Sequence, residues 1–415
     1  MDEPTELPLN GIRVLDLTRL LPGGFCSQWL ADFGAEVIKV EDTGAGDYIR
    51  YTPPYHQGDE DQIASTRSGL FLSLNRGKRS IRIDLKDDSG QAAFLRMVES
   101  ADVVLEGFRP GVMDRLGVGY ETLIEVNPGL VYCAITGYGQ DGPNRDRAGH
   151  DINYLGATGL LDMTGQAGGA PVQPAAQIGD LGGGAMAAAF GVMTALFAKQ
   201  RTGRGQMVDI SMTDGAMSWL AMVAGAYFAD GQVPGRGASI LNGGVSCYLT
   251  YEAADGWVSC GALEPKFWQA FCDGVERPDL VDHQFDAPGS EGWAKVAEVF
   301  KSKTRDEWKS FNDERNCCIE PILDVGEAME SELAEERDMV IEFDQPGIGP
   351  VRQIGNPIKL SETPAAPPRA APAIGADTGE VLRESGFSEE EIAALFASGA
   401  VAGPGKDALD VGFRA

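Results

Sequence analysis

Three short stretches of this 415-residue chain carry side chains able to move protons. AGHDINY (148–154) sets His150 beside Asp151, in a chain whose only other histidines are His56 and His283. QIGDLGGG (177–184) sets Asp180 where a helix should begin, just ahead of three glycines. GALEPKFW (261–268) sets Glu264 between the end of an apolar strand and a proline. An imidazole takes or gives a proton near neutral pH, and a carboxyl does so when its surroundings tune it. Each residue also has a plain structural account. A loop histidine satisfies local hydrogen bonds, a helix-start aspartate caps the first amides, and a strand-end acid simply faces water. The glycine run is not needed for capping and costs helix stability. It fits better a backbone that another molecule approaches closely. Nothing in the spacing alone brings the three stretches together.

The elements that must position them are legible in the hydrophobic pattern. Residues 12–41 read as strand (IRVLDL), a PGG break, a helix (FCSQWLADFG) and a second strand (EVIKVE), a βαβ unit that implies a parallel sheet. SIRIDL (80–85), a helix from Ser89 to about Glu99, DVVLEG (102–107) and LVYCAITGYG (130–139) extend it, and QMVDISM (206–212) adds another strand. A doubly wound α/β domain is expected over residues 1–224. PGG is not a GxGxxG fingerprint, so nicotinamide or flavin binding has little support. The segment 213–231 reads as one long buried helix. SCYLTYEAADGWVSCGA (246–262) reads as a hairpin, and two amphipathic helices come after it, so 225–330 is expected to be a smaller α+β domain. Residues 331–415 are expected to return to the large domain through a Pro/Ala-rich connector (364–376). A late helix there begins with the capping box Ser388–Glu391, and the tail from Gly403 is expected to be loosely held.

Composition narrows the function classes. Hydrophobic residues make up 43%, an ordinary globular fraction. The apolar run 185–198 is read as too short to span a bilayer, and the acidic N-terminus has no signal-like segment, so a cytoplasmic protein is expected. Seven cysteines show no CxxC pair and no metal-ligand spacing. They read as free thiols, with the adjacent Cys317–Cys318 read as two small buried residues, and no metal is expected. The net charge of −28 makes nucleic acid and anionic membranes poor partners and suggests a salt-adapted cytoplasm. In so acidic a chain the basic run NRGKRSIR, with Arg76, Lys78, Arg79 and Arg82, stands out as a candidate phosphate grip.

GIRVLDL…LADFGAEVIKVE, LNRGKRSIRIDLK, EGFRPGVMDRLGVG, TGYGQDGP, AGHDINYLGATGLL, GDLGGG, RTGRGQMVDISM, LNGGVSCYLTYEAADG and GALEPKFW together resemble the family III CoA-transferases (CaiB/BaiF-like) over nearly the whole chain. Within them the resemblance is to the α-methylacyl-CoA racemase branch. It implies an interlocked homodimer with a Rossmann-like large domain and a small domain framing each active site. Transferases of the family use the GD aspartate, here Asp180, as nucleophile. Racemases keep it and add the His of GHDINY and the Glu of the EP segment, here His150 and Glu264.

What the resemblance implies is a racemase or epimerase of 2-methylacyl-CoA thioesters, in fatty-acid metabolism. His150 and Asp180 flank the α-carbon, Glu264 orients the imidazole, and Asp151 and Tyr154 support them. An enolate oxygen would need donors, expected from the amides of Asp180, Leu181 and Gly182 at the helix start. No cofactor is implied, since coenzyme A is part of the substrate. CoA is expected to meet Lys39, Arg76, Lys78, Arg79, Arg82 and Arg109. The alternative is CoA transfer from an acyl-CoA to a carboxylic acid. Two departures from the racemase pattern stand out. Glu41–Asp42 replaces a V-D-R arginine, for which Lys39 would compensate, and Asn242 stands in LNGG where aspartate is common. The acyl chain is expected on apolar surface around Met212, Met217 and Met222.

Overall fold

The structure, a computed structural model, describes residues 6–57 and 67–405; the first five residues and the tail beyond 405, whose looseness the sequence suggests, lie outside that range. The chain divides into two units. One comprises residues 1–155, 177–218 and 332–415, the other 156–176 and 219–331. This differs from the expected division at 224 and 330 in one consequential way. The segment 156–176, which links His150 to Asp180 along the chain, belongs to the smaller unit.

The larger unit is built on a seven-stranded sheet. Its strands are β1 (Arg13–Asp16), β2 (Glu36–Glu41), β3 (Arg79–Ile83), β4 (Val103–Glu106), β5 (Val131–Thr136) and β6 (Gln206–Ser211). The smaller unit supplies β7 (Tyr248–Glu252), β8 (Trp257–Gly261) and β9 (Ile319–Pro321). The returning chain supplies β10 (Val340–Gln345), β11 (Gly349–Ile354) and β12 (Val401–Ala402). In the large sheet the order is β12-β3-β2-β1-β4-β5-β6, with six parallel strands and β12 antiparallel at the edge. All six strands read from the sequence are there. Side chains alternate between two cores, Leu15, Ile38, Ile81 and Val104 on one face and Val14, Val37, Val103 and Leu105 on the other. A sheet buried on both faces reads as continuous apolar runs, which is why these strands stand out in the sequence. The chain winds outward in both directions from the β1–β4 junction. In open α/β sheets ligands bind beyond the carboxyl ends of strands at such a reversal.

Local differences from expectation have simple causes. PGG does not break the first helix but lies inside its start, Leu21–Asp32, with Pro22 in the first turn where no amide partner is lost. Residues 213–231 form two helices, Met212–Ser218 and Ala221–Asp230, and the second buries none of its residues within the chain. The helical run Ile178–Thr202 is 25 residues long, so by length and composition it could cross a membrane, contrary to the reading of 185–198 as too short. Half of its apolar window is buried, through Ala188, Val192 and Ala195 against Val131, Cys133 and Ile135 of β5. Met186, Phe190, Met193 and Phe197 are exposed.

The smaller unit has a three-stranded antiparallel sheet, and the β7–β8 hairpin turns at the ADG signal. Its core stacks aromatic rings, with Tyr251 on Phe300 at 4.2 Å and Phe271 on Phe300 at 5.2 Å. All seven cysteines are free; six are buried and Cys318 is half-buried. In the returning chain the Ser388–Glu391 capping box forms, with the Glu391 N–H donating to Ser388 Oγ and the Ser388 N–H to Glu391 Oε2.

Candidate active site

The carboxyl ends of β5 and β6 carry the site of the larger unit. Past β5 the chain reaches Gly149 and His150, and a helix begins at Asp151 (Asp151–Thr158). Asn153 fixes that start: the His150 N–H donates to Asn153 Oδ1 at 3.0 Å, and the Asn153 N–H to the His150 carbonyl at 2.8 Å. The Tyr154 hydroxyl donates to the Gly149 carbonyl at 2.6 Å, and its ring meets Tyr138 edge-on at 5.2 Å. A Cβ on Gly137 or Gly149 would sit 2.6 or 2.7 Å from the Tyr154 ring, so both glycines are required by close packing. With its main chain pinned, His150 presents an exposed side chain.

Asp180 comes from the other end of the 156–176 excursion. The Asp180 N–H donates to Asp151 Oδ1 at 2.9 Å, which joins the His150–Asp151 corner to the Asp180 helix start. Asp180 is not the helix cap. It lies in the first turn of a π-helical stretch, Ile178–Met186, whose wider turns are common at functional sites. No cation pairs with its carboxyl among the described residues, and burial, reinforced by Asp151, pushes that carboxyl up to about 7. Burial likewise pushes the Tyr154 hydroxyl up, helped by Asp180 and opposed by Arg109, so all three share one electrostatic neighbourhood.

Other expected members fall elsewhere. Glu264 belongs to the smaller unit, where it precedes the helix Pro265–Gly274 with an exposed side chain that makes no capping bond. Two of the three expected oxyanion amides are engaged. Asp180 N–H goes to Asp151, and Leu181 N–H to the Gln177 carbonyl at 2.9 Å. The glycine run serves packing more than a ligand: a Cβ on Gly183 would lie 2.6 Å from the Met212 carbonyl oxygen, and one on Gly184 2.9 Å from the Met212 side chain. Met212 is therefore core, while Met217 and Met222 are exposed.

The basic run is also corrected. Lys39 pairs with Asp47 at 2.9 Å, Arg76 with Asp32 at 2.7 Å, and Lys78 with Asp16 at 3.2 Å, all buried. Arg79 pairs with Glu36 at 2.7 Å, and Arg82 donates to the main-chain carbonyls of Asp42, Thr43, Gly44 and Gly403. Burial would push the Asp16 carboxyl up, yet Lys78 and Lys39 beside it hold it below the ordinary range. These cations tie β2 and β3 to their neighbours, and taking a phosphate would leave buried carboxylates unpaired. The run is basic because the large sheet's interior needs counter-charges there.

In the segments after β4 and β5 stand four guanidinium groups that no buried carboxylate engages among the described residues. Arg109 and Arg147 are exposed, as is Arg115, whose Nη1 lies 3.5 Å from where a Gly111 Cβ would stand; Arg145 Nη2 is 3.7 Å from the same point. Arg145 donates to the Gln140 carbonyl and holds only its neighbour Asp146, at 3.3 Å. Of these four, sequence reasoning singled out Arg109 alone; the signal for the rest was their place just beyond strand ends. It also missed Glu106, buried at the end of β4. This carboxyl accepts the Phe108 N–H at 2.7 Å and the Tyr132 hydroxyl at 3.3 Å, bracing the turn that presents Arg109. Burial pushes it up to about 7. Among the described residues no group of three or more His, Cys, Asp or Glu is placed to hold a metal.

Known proteins share this architecture. The profile described as CoA-transferase family III matches residues 9–378. The alpha-methylacyl-CoA racemase of Mus musculus is 38% identical, the match covering 93% of this chain and 96% of that one. The succinyl-CoA:mesaconate CoA-transferase of Haloarcula marismortui is 36% identical, covering 91% and 96%. A crystal structure of a CAIB/BAIF family protein from Brucella suis superposes with a TM-score of 0.79 at 29% identity, covering 92% of this chain and all of that one.

Proposed function

The chain belongs to CoA-transferase family III, and from that premise we propose that it is a cofactor-free racemase of 2-methylacyl-CoA thioesters. The observation that supports this is the Asp151–Asp180 bond, which joins the turn bearing the exposed His150 to the turn bearing an unpaired carboxyl that burial pushes up to about 7. Inverting an α-carbon needs a proton removed from one face and another delivered to the opposite face. His150 takes the α-proton and leaves the enolate of the thioester. Protonated Asp180 then delivers its own proton from the other side. The reverse reaction exchanges the roles. A carboxyl near 7 is populated in both forms at neutral pH, as a group that acts alternately as acid and base requires. Asp151 and Tyr154 hold the two ends in register. The enolate oxygen is assigned to the helix start at Gly179, which is buried there, because the helix dipole favours negative charge at that end. Glu264 is retained as the carboxylate that the racemase branch adds to support its imidazole. Arg109, Arg115, Arg145 and Arg147 grip the CoA phosphates, since fork-shaped cations suit phosphate oxygens. The acyl chain lies on apolar surface that includes Met217 and Met222.

The enzyme works as a homodimer. The exposed side chains of Phe190, Met193 and Phe197 form a stripe of a kind that monomers rarely leave in water.

A second reading is CoA transfer, favoured by the unpaired Asp180 carboxyl and by transferase relatives of similar identity. There the Asp180 carboxylate attacks the thioester carbonyl, expels CoA thiolate and becomes a mixed anhydride. One experiment separates the readings: the protein is incubated with a single-enantiomer 2-methylacyl-CoA in deuterated water. Racemization predicts α-deuterium incorporation without an acceptor acid, abolished in His150→Ala and Asp180→Ala and reduced about 10- to 100-fold in Glu264→Gln. Exchange that appears only with an added acid, together with a hydroxylamine-sensitive adduct on Asp180, assigns transfer instead.

A further inference from the structure

His150 and Asp180 are the two ends of one excursion of the chain. Between them, residues 156–176 leave the larger unit and belong to the smaller one. The excursion begins with the last three residues of the helix Asp151–Thr158, turns at Gly159 and continues as the short helix Leu160–Met163. Arg236 grips this loop from that helix onward. Its Nε donates to the Asp162 carbonyl at 2.5 Å, its Nη2 to Asp162 Oδ1 at 2.6 Å, and its Nη1 to the Gly169 carbonyl. One planar guanidinium thereby binds both limbs of the loop. Asn242, from the same stretch of the smaller unit, donates its Nδ2 to the Met163 carbonyl at 2.8 Å. Gly237 makes the fit possible: at φ +60° it lies so close that a Cβ would be 2.6 Å from the Ala167 amide nitrogen.

We propose that Arg236 is a positioning residue for the proton-transfer pair, acting through this loop; the inference rests on the racemase reading above. The mechanical argument is that of a rod held at both ends. The helix Asp151–Thr158 spans about 12 Å. Its start is tied by Asp151 to Asp180, and its far end, one residue from Leu160–Met163, is tied by Arg236 and Asn242. Released at the far end, the short helix loses the ties that hold its last turn and frays, and the His150 corner carried on its first turn loses register with the α-carbon. Loss of register on the order of 1 Å costs about 100-fold in rate. CoA affinity is untouched, because the proposed phosphate grip lies on other loops. Asn242, the position where the sequence departs from the racemase pattern, keeps a structural purpose here, as an amide donor that an aspartate carboxylate cannot replace.

The test compares wild type with Arg236→Ala, Arg236→Lys and Gly237→Ala by α-deuterium exchange of 2-methylacyl-CoA and by amide hydrogen exchange over residues 151–163. In Arg236→Ala, kcat is expected to fall about 10- to 100-fold with KM within twofold, and amides of 151–163 to exchange at least about tenfold faster. Arg236→Lys, which keeps the charge but loses the fork, should recover part of kcat. Gly237→Ala, which forces the loops apart, should reproduce the alanine variant. Wild-type kcat in Arg236→Ala, a rise in KM matching the fall in kcat, or unchanged amide protection each overturns the proposal. If wild type itself exchanges no α-hydrogen, the racemase reading fails, and the amide protection still decides whether Arg236 holds the helix.

Discussion

The chemistry at residue scale turns on a carboxyl that its neighbours refuse to stabilise as an anion. Asp180 is largely buried beside Asp151 and has no cation, so its folded pKa of about 7 stands well above the unfolded value of 3.8. The native state therefore binds the proton more tightly than the unfolded chain. The contribution of this one carboxyl to stability is full below pH 3.8 and declines as pH rises toward 7. Asp180→Asn removes that penalty. Its melting temperature should match wild type near pH 4 and exceed it at pH 8, by about 1–2 °C for each kcal/mol relieved; an equal difference at both pH values would show that the carboxyl is not perturbed. The same variant should lose exchange activity at every pH. Arg109 and Arg115 test the phosphate grip in the opposite way. Alanine at either should raise KM for the CoA thioester about tenfold with kcat unchanged, the loss expected for one charge-assisted bond, whereas Arg79→Ala should lower thermal stability without moving KM.

At the scale of elements, the helix carrying Asp180 is held by glycines that face protein. Gly183 packs on the backbone of Met212–Ala216, where neither neighbour can yield as a flexible side chain would. Gly183→Ala should therefore destabilise the fold by about 1–3 kcal/mol, the usual range for overpacking, as measured by urea unfolding. A substitution that leaves the unfolding midpoint unchanged would mean that this helix contact is looser than the backbone geometry indicates. The sequence pointed to these glycines as unusual but not to what approaches them. A glycine run looks the same whether a ligand or another helix lies against it.

For the whole molecule the exposed apolar side chains and the charge act in opposite senses. A net charge of −28 repels a second copy at low salt, while the uncovered Phe190, Met193 and Phe197 favour association once salt screens that repulsion. Analytical ultracentrifugation should find a dimer at about 0.5 M potassium chloride, where the Debye length is only a few ångströms. Phe190→Glu with Phe197→Glu should shift it to monomer with loss of exchange activity; a double variant that stays dimeric would place the interface elsewhere.

Much of this was already written in the linear order of residues. Strands buried on both faces announce themselves as apolar runs, so the six parallel strands, the β7–β8 hairpin and the Ser388 capping box were readable without coordinates, as was the family. His150 and Asp180 were readable as candidates, because unusual residue types in glycine-flanked stretches are local signals, and Arg109 was readable through the family resemblance. Tertiary structure alone decided how charges are matched. Lys39, Arg76, Lys78 and Arg79 look like a phosphate site in one dimension and are ion pairs in three, the first three of them buried. Their partners Asp47, Asp32, Asp16 and Glu36 lie as many as 62 residues away. Pairing depends on which strands lie side by side, and the order of a sheet is a property of its packing, not of any local stretch of chain.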